Sequence, residues 1–234
     1  MPDRDPMTNI KPVKFGSFAA CERCRAAGFC ARPEGSAGAY RITARRLRRG
    51  ESFHSADVPA HTFFVLCEGS AKLCRRGVNQ DPPVTGFHIP GELISFEAMS
   101  DPAARQDVVA LEPCTIREIT CQCDPQANSA IWSAMLGLLR ADATQRRARL
   151  RPFAGRQTAN QRLTVWLGNI AERYRQRGFD PRGMALRMTR AEIGSYLGLA
   201  KETVCRLFVQ FQRNGWIEQR GRRFLIRRPD AFLG

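Results

Sequence analysis

The spacing of apolar residues changes character along the chain, and each change predicts a different kind of element. Between Arg41 and Ile119 the apolar residues come in short runs: TFFVLCEG, SAKLCRR, PVTGFHIPGELI, DVVALE and CTIREI, separated by Gly, Pro and Asp. Runs of that length between turn residues predict the strands of a small β-barrel or jelly roll. After Asp124-Pro125 the period becomes helical: Ile131, Met135, Leu138 and Leu139 begin an apolar stripe on a helix that can run to Pro152. A long helix joining two folded units suits a coiled-coil seam between two copies of the chain, with these four as its dimerisation residues. Arg146, Arg147, Arg149 and Arg151 crowd its later half and would repel across a two-fold axis, so the seam is expected to be weak. The alternative is that the helix simply packs on the barrel.

Beyond Pro152 the pattern stays helical. Leu163, Trp166, Leu167 and Ile170 make the core face of a helix ending near Gly178, and Ala185-Leu186 leads into MTRAEIGSYLGLAKETVCRLFVQFQR, residues 188–213. Thr189 with Glu192 forms a capping box, Ile193 and Leu197 face a core, and Gly198 offers the positive φ that ends a helix. A second helix follows with Val204, Leu207, Phe208 and Phe211 at i, i+3, i+4, i+7. Its other face carries Lys201, Glu202, Cys205 and Arg206 near the N-terminal end, which in a helix-turn-helix enters the DNA major groove. Trp216 to Gln219, a turn at Arg220-Gly221, and Phe224 to Ile226 predict a hairpin wing, with Arg220, Arg222 and Arg223 as phosphate contacts.

Charge strengthens this reading. The 234 residues carry a net charge of +15, a pI near 10.3 points to a polyanionic partner, and the excess sits at the far end. From Phe153 onward 16 Lys/Arg stand against 6 Asp/Glu, a balance of +10. No run reaches the roughly 18 apolar residues of a membrane span. The first residues lack the apolar core of a signal peptide, so a cytoplasmic protein is expected. Nine cysteines are then expected as thiols or metal ligands rather than disulfides.

Three of those cysteines, Cys21, Cys24 and Cys30, lie within ten residues, with Gly28 to bend the chain between them. Arg23, Arg25 and Arg32 favour the thiolate form that binds metal. Tetrahedral zinc, an iron–sulfur cluster and a free-thiol redox switch all suit the spacing, which cannot choose among them.

Barrel, long helix and winged helix-turn-helix, in that order, resemble the family of the cyclic-AMP receptor protein, and most closely its oxygen-sensing FNR branch. Thr85-Gly-Phe-His88, Arg177-Gly-Phe-Asp-Pro-Arg182 and Met188 to Arg206 carry the resemblance, together with the C-x2-C-x5-C arrangement. The resemblance implies an α+β chain: an N-terminal cluster-binding segment (1–38), a β-barrel (jelly-roll) sensory domain (39–124), a dimerisation helix (125–152) and a winged helix-turn-helix domain (153–234). It implies a transcription factor, not an enzyme, that binds double-stranded DNA as a homodimer under control of an oxygen-labile [4Fe–4S] cluster. RNA polymerase is an expected partner, through surface loops such as Arg76 to Pro82. Arg206 and Glu202 look like the readers of the family's TGA core, by guanine and cytosine contacts respectively. Thr189 is added to the DNA-facing set.

The chain also departs from the family. The fourth cluster cysteine belongs on a late strand, where ALEPCTIREI has Arg117; Cys114 is the nearest substitute and is taken as the fourth ligand, ahead of Cys121 and Cys123. The connector after Cys30 is short and lacks the family's extra helix. Cys205 replaces the serine of the reading helix, and Lys201 precedes Glu202. Rival effectors are a cyclic nucleotide, although Arg105 is followed by Gln106 rather than Ser, and haem on His54, His61 or His88. A thiol oxidoreductase using Cys21 and Cys24 would need a βαβ context that the pattern lacks.

Overall fold

The computed structural model describes residue 24 and residues 26–30, 40–54, 61–75, 82–94, 106–121, 129–150, 157–182, 185–220 and 223–232. Eight strands build the barrel: β1 (Tyr40–Leu47), β2 (Ser52–His54), β3 (Thr62–Glu68), β4 (Ala71–Arg75), β5 (Val84–His88), β6 (Leu93–Ile94), β7 (Gln106–Ala110) and β8 (Cys114–Cys121). They form two antiparallel four-stranded sheets, ordered β1-β8-β3-β6 and β2-β7-β4-β5, the arrangement of a jelly roll. Phe53, Phe64, Leu66, Leu73, Val108, Cys114 and Ile116 fill the space between the sheets.

The first sheet is covered on its outer face as well. There Phe63, Val65, Ile119 and Cys121 meet Ala26 and the helix after it, α1 (Ala27–Cys30), through Phe29, and α2 (Ser129–Leu150) through Ile131 and Met135. Burial on both faces explains the unbroken apolar run of β3, since alternation is expected only where one face meets water.

The C-terminal half comprises α3 (Ala159–Gln176), β9 (Ala185–Leu186), α4 (Arg190–Leu197), α5 (Lys201–Arg213), β10 (Ile217–Arg220) and β11 (Arg223–Ile226). Pro229–Phe232 closes it as a 3-10 turn. The Thr189 side chain accepts from the Glu192 N–H at 3.1 Å and the Glu192 carboxylate accepts from the Thr189 N–H at 2.6 Å. Gly198 ends α4 in the left-handed region at φ 65°. A Cβ at Gly194 would lie 2.5 Å from the Leu199 carbonyl oxygen, so the tight turn between α4 and α5 requires glycine there.

The two halves share a core. Val84, Phe87 and Leu111 of the barrel pack with Trp166, Leu167, Ile193 and Phe208, and the Phe87 ring lies 5.3 Å from Tyr196. Polar groups reinforce the junction. Lys72 pairs with Glu192 at 2.8 Å, Arg187 with Glu112 at 2.9 Å, and the Val84 N–H donates to Ser195 Oγ at 3.0 Å. Because β5 is an edge strand, α4 also covers backbone groups that would otherwise be exposed.

Candidate nucleic-acid interface and cysteine site

Helix α5 buries Val204, Leu207, Phe208 and Phe211 and turns its other side outward. Lys201, Glu202 and Arg206 are exposed and Cys205 is half-buried, so the four candidate readers share the open face at the helix start. Thr189, also exposed, caps α4 beside them. The hairpin wing is present as β10 and β11, with β9 added as a third strand. An Arg227–Glu218 pair at 2.6 Å braces it. Arg220 ends β10, and its side chain and Arg222 lie outside the described residues. This surface is a convex rod with its charged end free, the shape that a major groove admits.

Helix α2 differs from the sequence expectation. Ile131 and Met135, expected at a seam between two copies, are 5% and 2% exposed and pack against the barrel of their own chain. Leu138 and Leu139 are half-buried on the same core. The start of the stripe is apolar because the sheet beneath it is, so Ile131 and Met135 are consumed within one subunit while Leu138 and Leu139 are only partly covered. The outward side carries Ser133, Ala134, Leu136, Gly137, Arg140, Ala141 and Thr144, all exposed. Arg146 folds back onto Asp142 at 2.9 Å, which takes one arginine out of the crowded end.

Among the cysteines, Cys24 is half-buried and its carbonyl accepts from the Ala27 N–H at 3.1 Å, starting the turn of α1. Cys21 and the Cys30 side chain lie outside the described residues, as does Cys123. Cys24 packs on the outer core that contains Cys121 and Met135. Cys114, taken from the sequence as the fourth ligand, does not join it. It belongs to the core between the sheets and its Sγ donates to the carbonyls of Ser70 and Glu112, at 3.2 and 3.1 Å. It opens β8 and Cys121 closes it, seven steps or roughly 23 Å further along. Burial raises the Cys114 thiol to about 11. Cys114 faces the core between the sheets, whereas Cys24 packs on the outer core. Among the described residues, no group of three or more His, Cys, Asp or Glu side chains is placed to hold a metal ion.

The histidines are spread out. His54 bonds Asp107 at 2.6 Å, and His61, at φ 64°, meets the Trp132 ring edge-on at 4.7 Å. His88 is buried under the junction, where desolvation lowers it to about 4; Glu92 works against that shift, and Arg173 and Arg146 add to it. Glu92 accepts from Arg173 Nε at 2.9 Å and lies 3.9 Å from Arg177. Sequence patterning missed this junction: Glu92, Arg173 and Arg177 are far apart in the chain, and an arginine inside an amphipathic helix reads as surface.

Comparison with known proteins gives the same architecture. Residues 44–122 match the cyclic nucleotide-binding domain and residues 161–233 the Crp-like helix-turn-helix domain. The transcriptional activator protein anr of Pseudomonas aeruginosa is 31% identical over 180 residues, covering 76% of this chain and 74% of the relative. The fumarate and nitrate reduction regulatory protein of Escherichia coli is 28% identical over 192 residues, covering 79% and 75%. The solved structure of FixK2 from Bradyrhizobium japonicum superposes with a TM-score of 0.61 at 25% identity, covering 82% of this chain and 96% of that one. These relatives are transcription regulators rather than enzymes, and with them the chain belongs to the CRP/FNR family.

Proposed function

We propose that this regulator responds to oxygen, reading a two-fold symmetric DNA site as a homodimer under the control of a [4Fe–4S] cluster bound near its N-terminus. The observation that carries the reading is the seating of the Cys24 segment on the base of α2. Cys24, Phe29, Ile131 and Met135 belong to one packed core, so a change at the cysteines is felt by the helix between the two halves. The donor set fits the group. Thiolates at Cys21, Cys24 and Cys30 are soft ligands, and the apolar floor under Cys24 limits access of water. Bound there, the cluster supplies an oxygen-labile centre. The relative named as a fumarate and nitrate reduction regulatory protein agrees with a redox signal.

The rest of the mechanism belongs to the chain's own residues. The outward face of α2, with Ala134, Gly137 and Ala141, lets a second helix approach closely. Pairing there places two α5 helices on half-sites about one DNA turn apart, roughly 34 Å. Arg206 then donates to a guanine and Glu202 accepts from a cytosine amine, while Thr189 and the wing arginines, Arg220 and Arg222, hold phosphates. Lys201 lies at the edge of this contact and Cys205 beside Arg206. RNA polymerase is the proposed protein partner, through the stretch from Arg76 to Pro82.

A cyclic nucleotide is disfavoured as the signal because the Glu92 carboxylate of the Gly91-Glu92-Leu93 turn is engaged by two arginines of the DNA-binding half. The test is iron and acid-labile sulfide measured on full-length protein purified without oxygen, with DNA binding followed in parallel. Stoichiometric iron and sulfide, lost in air together with operator binding, is expected; zinc, haem or an empty site overturns the reading.

A further inference from the structure

Resting on the proposed contact of α5 with DNA, we infer that Val209, with Cys205 beside it, forms an apolar strip that reads the 5-methyl group of a thymine in the major groove. Among the described residues two large hydrophobic side chains are exposed: Leu136 on the outward face of α2, and Val209 on α5 at 43%. A lone exposed valine is ordinary on a solvated surface, but this one stands among the candidate readers. At 3.6 residues per turn it lies about 200° round the helix from both Leu207 and Phe211, which are buried. Val209 therefore occupies the middle of the outward face, two turns beyond Glu202 and one turn beyond Cys205 and Arg206.

Cys205 extends the apolar character by a turn. Residues four apart on a helix are neighbours, with Cβ atoms roughly 5–6 Å apart. Cys205 is half-buried, and a thiol packs as a small hydrophobe with only a weak S–H donor. Where the family resemblance expects a serine hydroxyl, this chain thus presents sulfur next to two valine methyl groups.

The charges around the strip select its partner. Arg206 precedes Val209 and Arg213 follows it, both exposed, and the three line one side of an open groove of about 840 Å³. An apolar protein surface laid over Val209 would have to strip water from both guanidinium groups without pairing them. A DNA duplex instead offers phosphates and a guanine to the arginines and base edges to the strip between them. Among those edges in the major groove, thymine alone carries a methyl group. The strip thus adds an A·T pair to the guanine and cytosine contacts of Arg206 and Glu202.

The test uses oxygen-free full-length protein and a palindromic duplex with two TGA half-sites, its outer positions selected from a randomised pool. Each thymine is replaced in turn by deoxyuridine, which deletes the methyl group and leaves the phosphates and the hydrogen-bonding edge unchanged. Dissociation constants are measured at one salt concentration, because the phosphate contribution varies with salt. Replacement at one thymine position is expected to weaken binding by about three- to four-fold per half-site, the effect of uncovering a single methyl group. Val209→Ser should bind the thymine and deoxyuridine duplexes equally, and Cys205→Ser should show a reduced penalty. Absence of a penalty at every thymine overturns the inference while leaving Arg206 and Glu202 as readers. So does an undiminished penalty in a Val209→Ser protein that circular dichroism shows to be folded. A full penalty in Cys205→Ser removes Cys205 from the strip. Wild-type protein that retains no duplex from the pool overturns the DNA reading itself.

Discussion

Glu92, at the tight turn before β6, and Arg173, near the end of α3, grip each other across the junction between the barrel and the DNA-binding half. Two hydrogen bonds run from the guanidinium to the carboxylate, one of them at 2.9 Å, and a third reaches the Phe87 carbonyl. Both side chains are nearly inaccessible. Removing one partner strands the other as a buried charge, which costs about 3–5 kcal/mol. Arg173→Met is expected to fall in that range by denaturant unfolding, and Glu92→Leu with Arg173→Met to recover part of it. A loss under about 1 kcal/mol for the single change would mean that the junction opens readily and water reaches Glu92.

His88 makes the same junction sensitive to acid. Its buried ring titrates near 4 in the folded protein, because desolvation and the nearby Arg173 and Arg146 outweigh Glu92. The unfolded chain binds this proton near 6.5. Between those values the unfolded state holds more protons, so stability falls as the pH falls from 6.5 toward 4, by at most about 3 kcal/mol. Thermal melts across that window are expected to show the loss, and His88→Gln to flatten it. A His88→Gln profile parallel to wild type would assign the acid sensitivity to other groups.

The two sides of α2 should behave differently. Met135→Ala removes a side chain packed under the helix and is expected to cost about 2–5 kcal/mol of folding stability. Ala141→Glu places a charge on the exposed face; it should leave the melting of the monomer within roughly 0.5 kcal/mol of wild type but abolish association in sedimentation. A dimer that tolerates glutamate at Ala141 would place the seam elsewhere.

Arg206→Ala is expected to weaken specific DNA binding by about 1–3 kcal/mol and to erase discrimination at one guanine per half-site. Titrations on matched duplexes with that guanine replaced measure both effects. Unchanged discrimination would remove Arg206 from the readers.

Much of this was legible in the chain, and the failures have physical causes. The helix-turn-helix could be located because its cap, its turn glycine and the periodicity of α5 are all local signals. β3 was legible as a continuous apolar run. β1, Tyr40–Leu47, was not: it is an edge strand with four arginine-flanked, half-buried positions and no clean alternation. The apolar stripe of α2 was found, but periodicity cannot tell a barrel from a second subunit as the surface it meets. Cys114 was taken as the nearest cysteine to position 117 although strand parity turned it the other way, and in the structure it faces the core between the sheets. The junction of Glu92, Arg173, Lys72 and Glu192 was invisible because it joins residues about 80 to 120 positions apart.

The most direct measurement of the central claim is operator occupancy and association state of the full-length protein on one palindromic duplex, first without oxygen and then after exposure to air. The account predicts a dimer bound to DNA without oxygen, and loss of both pairing and occupancy once air is admitted. Equal pairing and equal occupancy in the two conditions would contradict it.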